Sequence, residues 1–243
     1  MSIVLHSEYL QAGRHHIPYK LVKGKPRSTR LHFNEEAVLL IETSNGRVSP
    51  FDMDFLRERE QWLVSVYHEH LELYQKKQKV LGHIERQMLI LGQETPVQYV
   101  ESAETSFRFK KGEYFIVHAP REYITQRKKQ LLFYSLRKYA EAYLERRTRH
   151  WMEVCNLTIN KLRIKDLRSK WGSCSSLRNI NLNWHLILLD EKLIDYIIVH
   201  ELMHLHEMNH SKRFWAWVAK YIPDYKREVE RLNERQWLVG ILS

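Results

Sequence analysis

Along the chain the apolar positions change period several times, and each change predicts an element. Residues 17–22 and 37–42 read as short strands, and 46–49 follows them across Asn45-Gly46, a hairpin signal. From 53 to about 78, Phe55, Trp62, Leu63, Val66, Tyr67, Leu71 and Tyr74 recur at helical spacing with charged residues between them, which predicts an amphipathic helix. Strand-like runs return at 88–92, 96–100, 107–109 and 114–119, and Pro120 then turns the chain into a long helix over about 123–154. Leu131, Leu132, Tyr134, Leu136, Tyr139, Tyr143 and Leu144 form its buried stripe, so its aromatic residues read as core. Residues 157–164 and 179–183 read as strands on either side of the loop 170–175. Asp190 is placed to N-cap a helix with Leu193, Ile194, Ile197, Ile198, Leu202 and Leu205 inside. Helices over about 211–221 and 224–237 close the chain around Pro223. No period repeats and no flexible linker interrupts the pattern, so the domain boundary is expected near Pro120. Residues 1–119 then form a small β-rich domain with a helix and residues 120–243 a second domain, in the α+β class.

Composition narrows the picture. The chain has 243 residues, 44% of them hydrophobic, enough to bury a core without disulfides. No apolar run approaches the roughly 18 to 20 residues of a membrane span, so no membrane partner is expected. The first twenty residues carry Glu8, Arg14, His15 and His16 where a secretory leader needs an unbroken apolar stretch, and the cytoplasm is the expected compartment. Cys155 and Cys174 are too few for a zinc ribbon or a bridge framework, which agrees with a reducing compartment. The net charge of +10 is concentrated in residues 121–150, with nine basic and three acidic side chains, and 151–180, with six and two. Such a segment attracts nucleic acid, nucleotide phosphates or acidic peptides; a solvated helix face is the plainer alternative.

The candidate chemistry lies in His200-Glu201-Leu202-Met203-His204, inside the apolar helix. Histidines at i and i+4 share a face, so both imidazoles reach one cation, and Glu201, one step round, stands beside a water on that cation. There it takes a proton as the water attacks and delivers it to the leaving group. Chance supplies about 0.08 such runs in a chain of this composition. His210, six residues beyond His204, cuts that to about 0.004 and offers a third nitrogen if the chain turns first. Asn209 is the residue expected to adopt the left-handed conformation that allows this turn. Three protein ligands plus an open position is the layout of catalytic zinc, so one zinc ion on His200, His204 and His210 is expected, with Glu201 as base. His206 is expected to face away, and His15, His16, His68, His70 and His185 to be ordinary.

The same residues carry a family resemblance. His200-Glu201-Leu202-x-His204, then Asn209-His210-Ser211 and Phe214-Trp215, preceded by Lys170-Trp171-Gly172-Ser173-Cys174-Ser175, Ile180-Asn181-Leu182-Asn183-Trp184 and Ile194-Asp195-Tyr196, resemble the YgjP-like family of metal-dependent hydrolases. The resemblance covers nearly the whole chain, weakly before Pro120 and strongly over residues 168–217. It implies a minimal zincin-like domain, related to SprT-like domains, over 120–243, with a long helix, a short sheet and the metal helix. The glycine of metzincins is Glu207 here and no methionine turn follows, so metzincin substrates do not carry over. In the 170–175 loop, Trp171 and Cys174 read as packing, with Cys174 as a fourth ligand the minor alternative. Arg168, Lys170, Ser173 and Arg178 are the candidates for binding a negative substrate group. Three functions stay open: a zinc peptidase; a nucleoside triphosphate pyrophosphatase acting on UTP, an activity the resemblance also suggests; and a nucleic-acid-associated protease or binding module.

Overall fold

The computed structural model describes residues 4–5, 9–24, 29–44 and 46–242. Its contacts divide the chain into two compact units, Met1–Lys79 and Val80–Ser243.

In the first unit, β1 (Val4–Leu5), β2 (Tyr9–Ala12), β3 (His15–Lys23), β4 (Arg30–Phe33) and β5 (Leu39–Thr43) form one sheet in the order β1-β2-β3-β5-β4. Alternation along β5 buries Leu39, Ile41 and Thr43 on one face. Leu39 and Ile41, with Leu10, Ala12 and Ile17, pack against Leu56 of α1 (Pro50–Glu58) and Leu63 of α2 (Glu60–His83). The expected strand over 46–49 does not form, and Asn45 lies outside the described residues. Ser49 is instead the N-cap of α1: its hydroxyl accepts from the Asp52 amide at 3.2 Å, and the Asp52 carboxylate accepts from the Ser49 amide at 2.7 Å. Pro50 follows at the first helical position, so local capping outcompetes strand formation. The single helix expected over 53–78 is broken at Arg59.

The second unit holds β6 (Gln87–Ile90), β7 (Gln93–Glu101), β8 (Ser106–Lys110) and β9 (Tyr114–Ala119), in the order β6-β7-β9-β8. After α3 (Arg121–Gln126) and α4 (Lys128–Cys155) comes a three-stranded sheet, β10 (Lys161–Lys165), β12 (Asn179–Asn183) and β11 (Gly172–Cys174), in that spatial order. A 3-10 turn (Trp184–Leu188), α5 (Glu191–Met203), α6 (Lys212–Tyr221) and α7 (Tyr225–Arg235) complete it. The α+β expectation agrees with this mixture of helices and small sheets. No described helix is long and apolar enough to cross a membrane.

The boundary expected near Pro120 falls inside this unit. Met88, Ile90, Phe115, Val117 and Ala119 belong to the same buried cluster as Leu132 and Leu136 of α4 and Ile194 and Ile197 of α5. The tip of the β6–β7 hairpin is pressed onto the 3-10 turn that precedes α5: the Leu91 amide donates to the Ile187 carbonyl at 2.7 Å. A side chain at Gly92, whose φ is +75°, would come within 2.6 Å of Asp190 Cβ. Proline marks a change of element, and the core continues across it.

The two four-stranded arrangements β2–β5 and β6–β9 repeat one topology. Each is a two-residue hairpin whose second strand pairs in parallel with the fourth, which pairs antiparallel with the third. Register matches residue by residue: Tyr19 opposite Leu39 corresponds to Val97 opposite Phe115, and Phe33 opposite Leu39 to Phe109 opposite Phe115. Pro18 and Pro96 occupy the same place, and each third-strand phenylalanine meets a ring of the long helix that follows: Phe33 with His70 at 5.1 Å, Phe109 with Tyr139 at 4.7 Å. The sequence pattern shows no repeat because a shared pairing scheme constrains which faces are apolar and leaves the residues free.

Much of the basic segment is engaged locally. Arg137 and Lys138 share Glu141, and Arg147 is turned into the protein, its guanidinium donating to both carboxylate oxygens of Asp195 at 2.5 Å.

His185 is fully buried; its Nδ1 accepts from the Gly240 amide at 3.2 Å and Nε2 has no partner. Burial, against the pull of Asp166, lowers its pKa from 6.5 to about 4. Between those values the unfolded chain binds a proton that the folded chain refuses, so stability falls as pH drops from about 6.5 to 4. The expected loss is up to about 3 kcal/mol, and His185→Gln, which does not titrate, should flatten that part of a plot of urea-unfolding free energy against pH.

Candidate metal centre

Asp190 starts α5 as expected, its carboxylate accepting from the Leu193 amide at 3.4 Å. Leu193, Ile194, Ile197, Ile198, Val199, Leu202 and Met203 are all buried, so the helix is enclosed rather than amphipathic. The Asp195 carboxylate, which also accepts from Trp151 Nε1 at 2.9 Å, ties it to α4 through Arg147. The polar groups on its last turn therefore stand in a low-dielectric setting.

α5 stops at His204, its C-cap. The amides of Leu205, His206 and Glu207 turn back onto the Leu202 and Met203 carbonyls. Asn209 is not left-handed, contrary to expectation. Its Oδ1 accepts from the Ser211 amide at 2.9 Å, and Ser211 Oγ caps α6 by accepting from Phe214 N at 3.4 Å. The reversal is thus made by an Asx turn feeding a helix cap, and it returns His210 to His200, their Nε2 atoms 3.1 Å apart.

His200, His204 and His210 offer ligand nitrogens that all lie within 4.8 Å of one another. His204 Nδ1 lies 3.1 Å from the Glu207 carbonyl. A carbonyl only accepts, so Nδ1 carries the hydrogen and Nε2 keeps its lone pair for a cation. Burial, then its histidine neighbours, holds His200 down at about 3, and burial likewise lowers His204; both are neutral, as metal ligands must be. Two nitrogens on tetrahedral zinc at about 2.0–2.1 Å are roughly 3.3 Å apart, close to the His200–His210 separation. The donor set fits one divalent ion. Cys174 is not part of it: its Sγ donates to the Ser175 carbonyl at 3.6 Å, and burial, then Glu201, raises the thiol to about 11.

Glu201 is 7% exposed, and its Oε2 has no partner. Burial lifts its pKa to about 8 against the pull of Lys170. The carboxylate lies flush against β11: a Cβ on Gly172 would sit 2.6 Å from Oε1 and 2.8 Å from Cγ. β11 itself was expected as loop. Its three residues alternate poorly, and only antiparallel pairing with β12 makes it a strand.

Of the substrate-binding candidates, Arg168 and Lys170 are exposed, and Ser173 on β11 accepts from Asn181 Nδ2 at 3.1 Å. Arg178 is drawn away: it has a φ of 59°, and its guanidinium donates to the Thr158 carbonyl. Trp171 packs as expected, 5% exposed, with Nε1 donating to Gln236 Oε1 at 3.1 Å. Asn183 holds the preceding loop through the Leu167 and Lys170 carbonyls. His206 is exposed and stacks on Trp217 at 4.2 Å.

Three contacts escaped the sequence reading. Phe214, fully buried, puts its ring within 4.6 to 4.9 Å of all three imidazoles, a floor signalled only by its spacing of four from His210. Tyr196, four residues before His200, places its hydroxyl 3.5 Å from His200 Nδ1, a position helical spacing could have flagged. Gly172 had no local signal.

The model of the family described as YgjP-like, metallopeptidase domain, matches residues 29–235. Two solved structures are similar to part of the chain. The metallopeptidase zymogen of Pyrococcus abyssi abylysin is 26% identical, aligning 38% of this chain with 93% of that one at a TM-score of 0.35. The metallopeptidase zymogen of Methanocaldococcus jannaschii jannalysin is 24% identical, aligning 36% with 94% at 0.32. No curated protein matches.

Proposed function

The chain belongs to the YgjP-like metallopeptidase-domain family and is a metal-dependent hydrolase; from that premise we propose that it cleaves peptide bonds, with His200, His204 and His210 holding one zinc ion and Glu201 managing the proton. The observation that carries this reading is the convergence of three histidine nitrogens within 4.8 Å at the end of the helix that also bears a buried, unpartnered carboxylate oxygen. When bound, a zinc ion supplies Lewis-acid polarisation of a carbonyl and lowers the pKa of a water molecule.

The chain's own residues do the rest. His204 is fixed in one tautomer by the Glu207 carbonyl, which presents Nε2 without a rearrangement. Glu201, whose Oε2 has no partner in the protein, accepts a proton from the attacking water and returns it to the leaving amine. β11 is the outermost strand of its sheet, so an extended peptide lies along it as an added strand, with main-chain hydrogen bonds giving affinity. Lys170 and Arg168, exposed beside this edge in sequence, favour an acidic side chain on that peptide.

The test is a digest of a mixed peptide library by the zinc-loaded chain, read by mass spectrometry, with phosphorus NMR of UTP in the same buffer. New peptide termini that vanish with chelator are the expected result. Intact peptides with pyrophosphate released from UTP would replace this reading with nucleotide hydrolysis.

A further inference from the structure

We propose a second transition-metal site in the first unit, formed by His15 of β3 and His68 of α2. These residues are 53 positions apart, and sequence spacing marks neither. In the fold, His68 Nε2 and His15 Nδ1 face each other at 3.2 Å, with ring centroids 4.9 Å apart and planes at 82°. The pair His200 and His204 shows nearly the same relation, 5.0 Å and 84°, and His200 and His210 bring their nitrogens to 3.1 Å.

The 3.2 Å separation is close to the roughly 3.3 Å edge of a tetrahedron of nitrogens around zinc. Without a cation, one ring must donate a hydrogen to the other. With a cation between them, that hydrogen moves to the far nitrogen of its own ring and both lone pairs turn inward. Both rings reach solvent, which leaves the remaining positions to water. The two histidines are the protein ligands, and the other positions belong to solvent. Imidazole suits zinc and its first-row neighbours. Such an ion pins the β2–β3 hairpin to α2, a cross-link in a unit whose buried cluster has seven members among the described residues.

The site is independent of the hydrolytic centre, and metal counting distinguishes them. The full chain, stripped with chelator and dialysed against fixed free Zn²⁺, is expected to bind two equivalents, the second more weakly. His68→Ala and His15→Ala are each expected to bind one, and His204→Ala to keep the second. In a His204→Ala background, Zn²⁺ should raise the Tm, and adding His68→Ala should remove that rise. Saturation of the wild type without this weaker equivalent, or its survival in His68→Ala and His15→Ala, overturns the proposal and leaves a hydrogen-bonded histidine pair.

Discussion

Glu201→Gln is expected to bind zinc with wild-type stoichiometry and to hydrolyse peptide about 10²- to 10⁴-fold more slowly, the range of a lost general acid–base group. The substituted amide has nearly the shape of the carboxylate and stays in the same cradle against β11, but it cannot take up and return a proton. Glu201 is not among the three residues whose nitrogens gather the metal, so metal content should not follow activity down. His204→Ala should differ in kind, losing metal and turnover together, because Nε2 of His204 is already oriented by the Glu207 carbonyl. Parallel metal analysis and initial rates on the two variants read this directly. Turnover retained by Glu201→Gln would remove that residue from the mechanism.

Gly172→Ala is expected to lower kcat about 10²-fold, the effect of displacing a reacting group by about 1 Å, with metal content intact. The new methyl would stand 2.6 Å from Glu201 Oε1, 2.8 Å from Cγ and 2.9 Å from Cδ. Contact with three atoms means the whole carboxyl must move, and at 7% exposure it has little room. Gly82→Ala is the matched control: nothing lies within 4 Å of its added carbon, and activity should be unchanged. If Gly172→Ala retains full kcat, the fit between β11 and Glu201 has no bearing on the reaction.

These two variants separate what could be read locally from what could not. Glu201 stands out from its neighbours in the chain, whereas Gly172 is 29 positions away and meaningful only where β11 passes α5. The cap at Asp190, the apolar character of α5 and the shared face of His200 and His204 follow from helical period and hydrogen-bonding chemistry, which act over a few residues. The spacing of His210 predicts that the chain turns, and it does bring His210 beside His200, but Asn209 works through its side chain and not through a left-handed backbone. The charge of Arg178 suggests a substrate contact, whereas its guanidinium donates to a carbonyl 20 residues away, a partner that no local pattern marks.

Hydrophobic period, capping and side-chain spacing are properties of neighbours, so residues 190–204 on their own specify an apolar helix that ends in two histidines and a glutamate. The tertiary structure alone decided where the units divide, that one strand scheme occurs twice, that β11 is an edge strand and that His15 meets His68. Each of these is a pairing between segments far apart in the chain, selected by burial and shape over many alternatives of similar local propensity, and so no short window of sequence contains it.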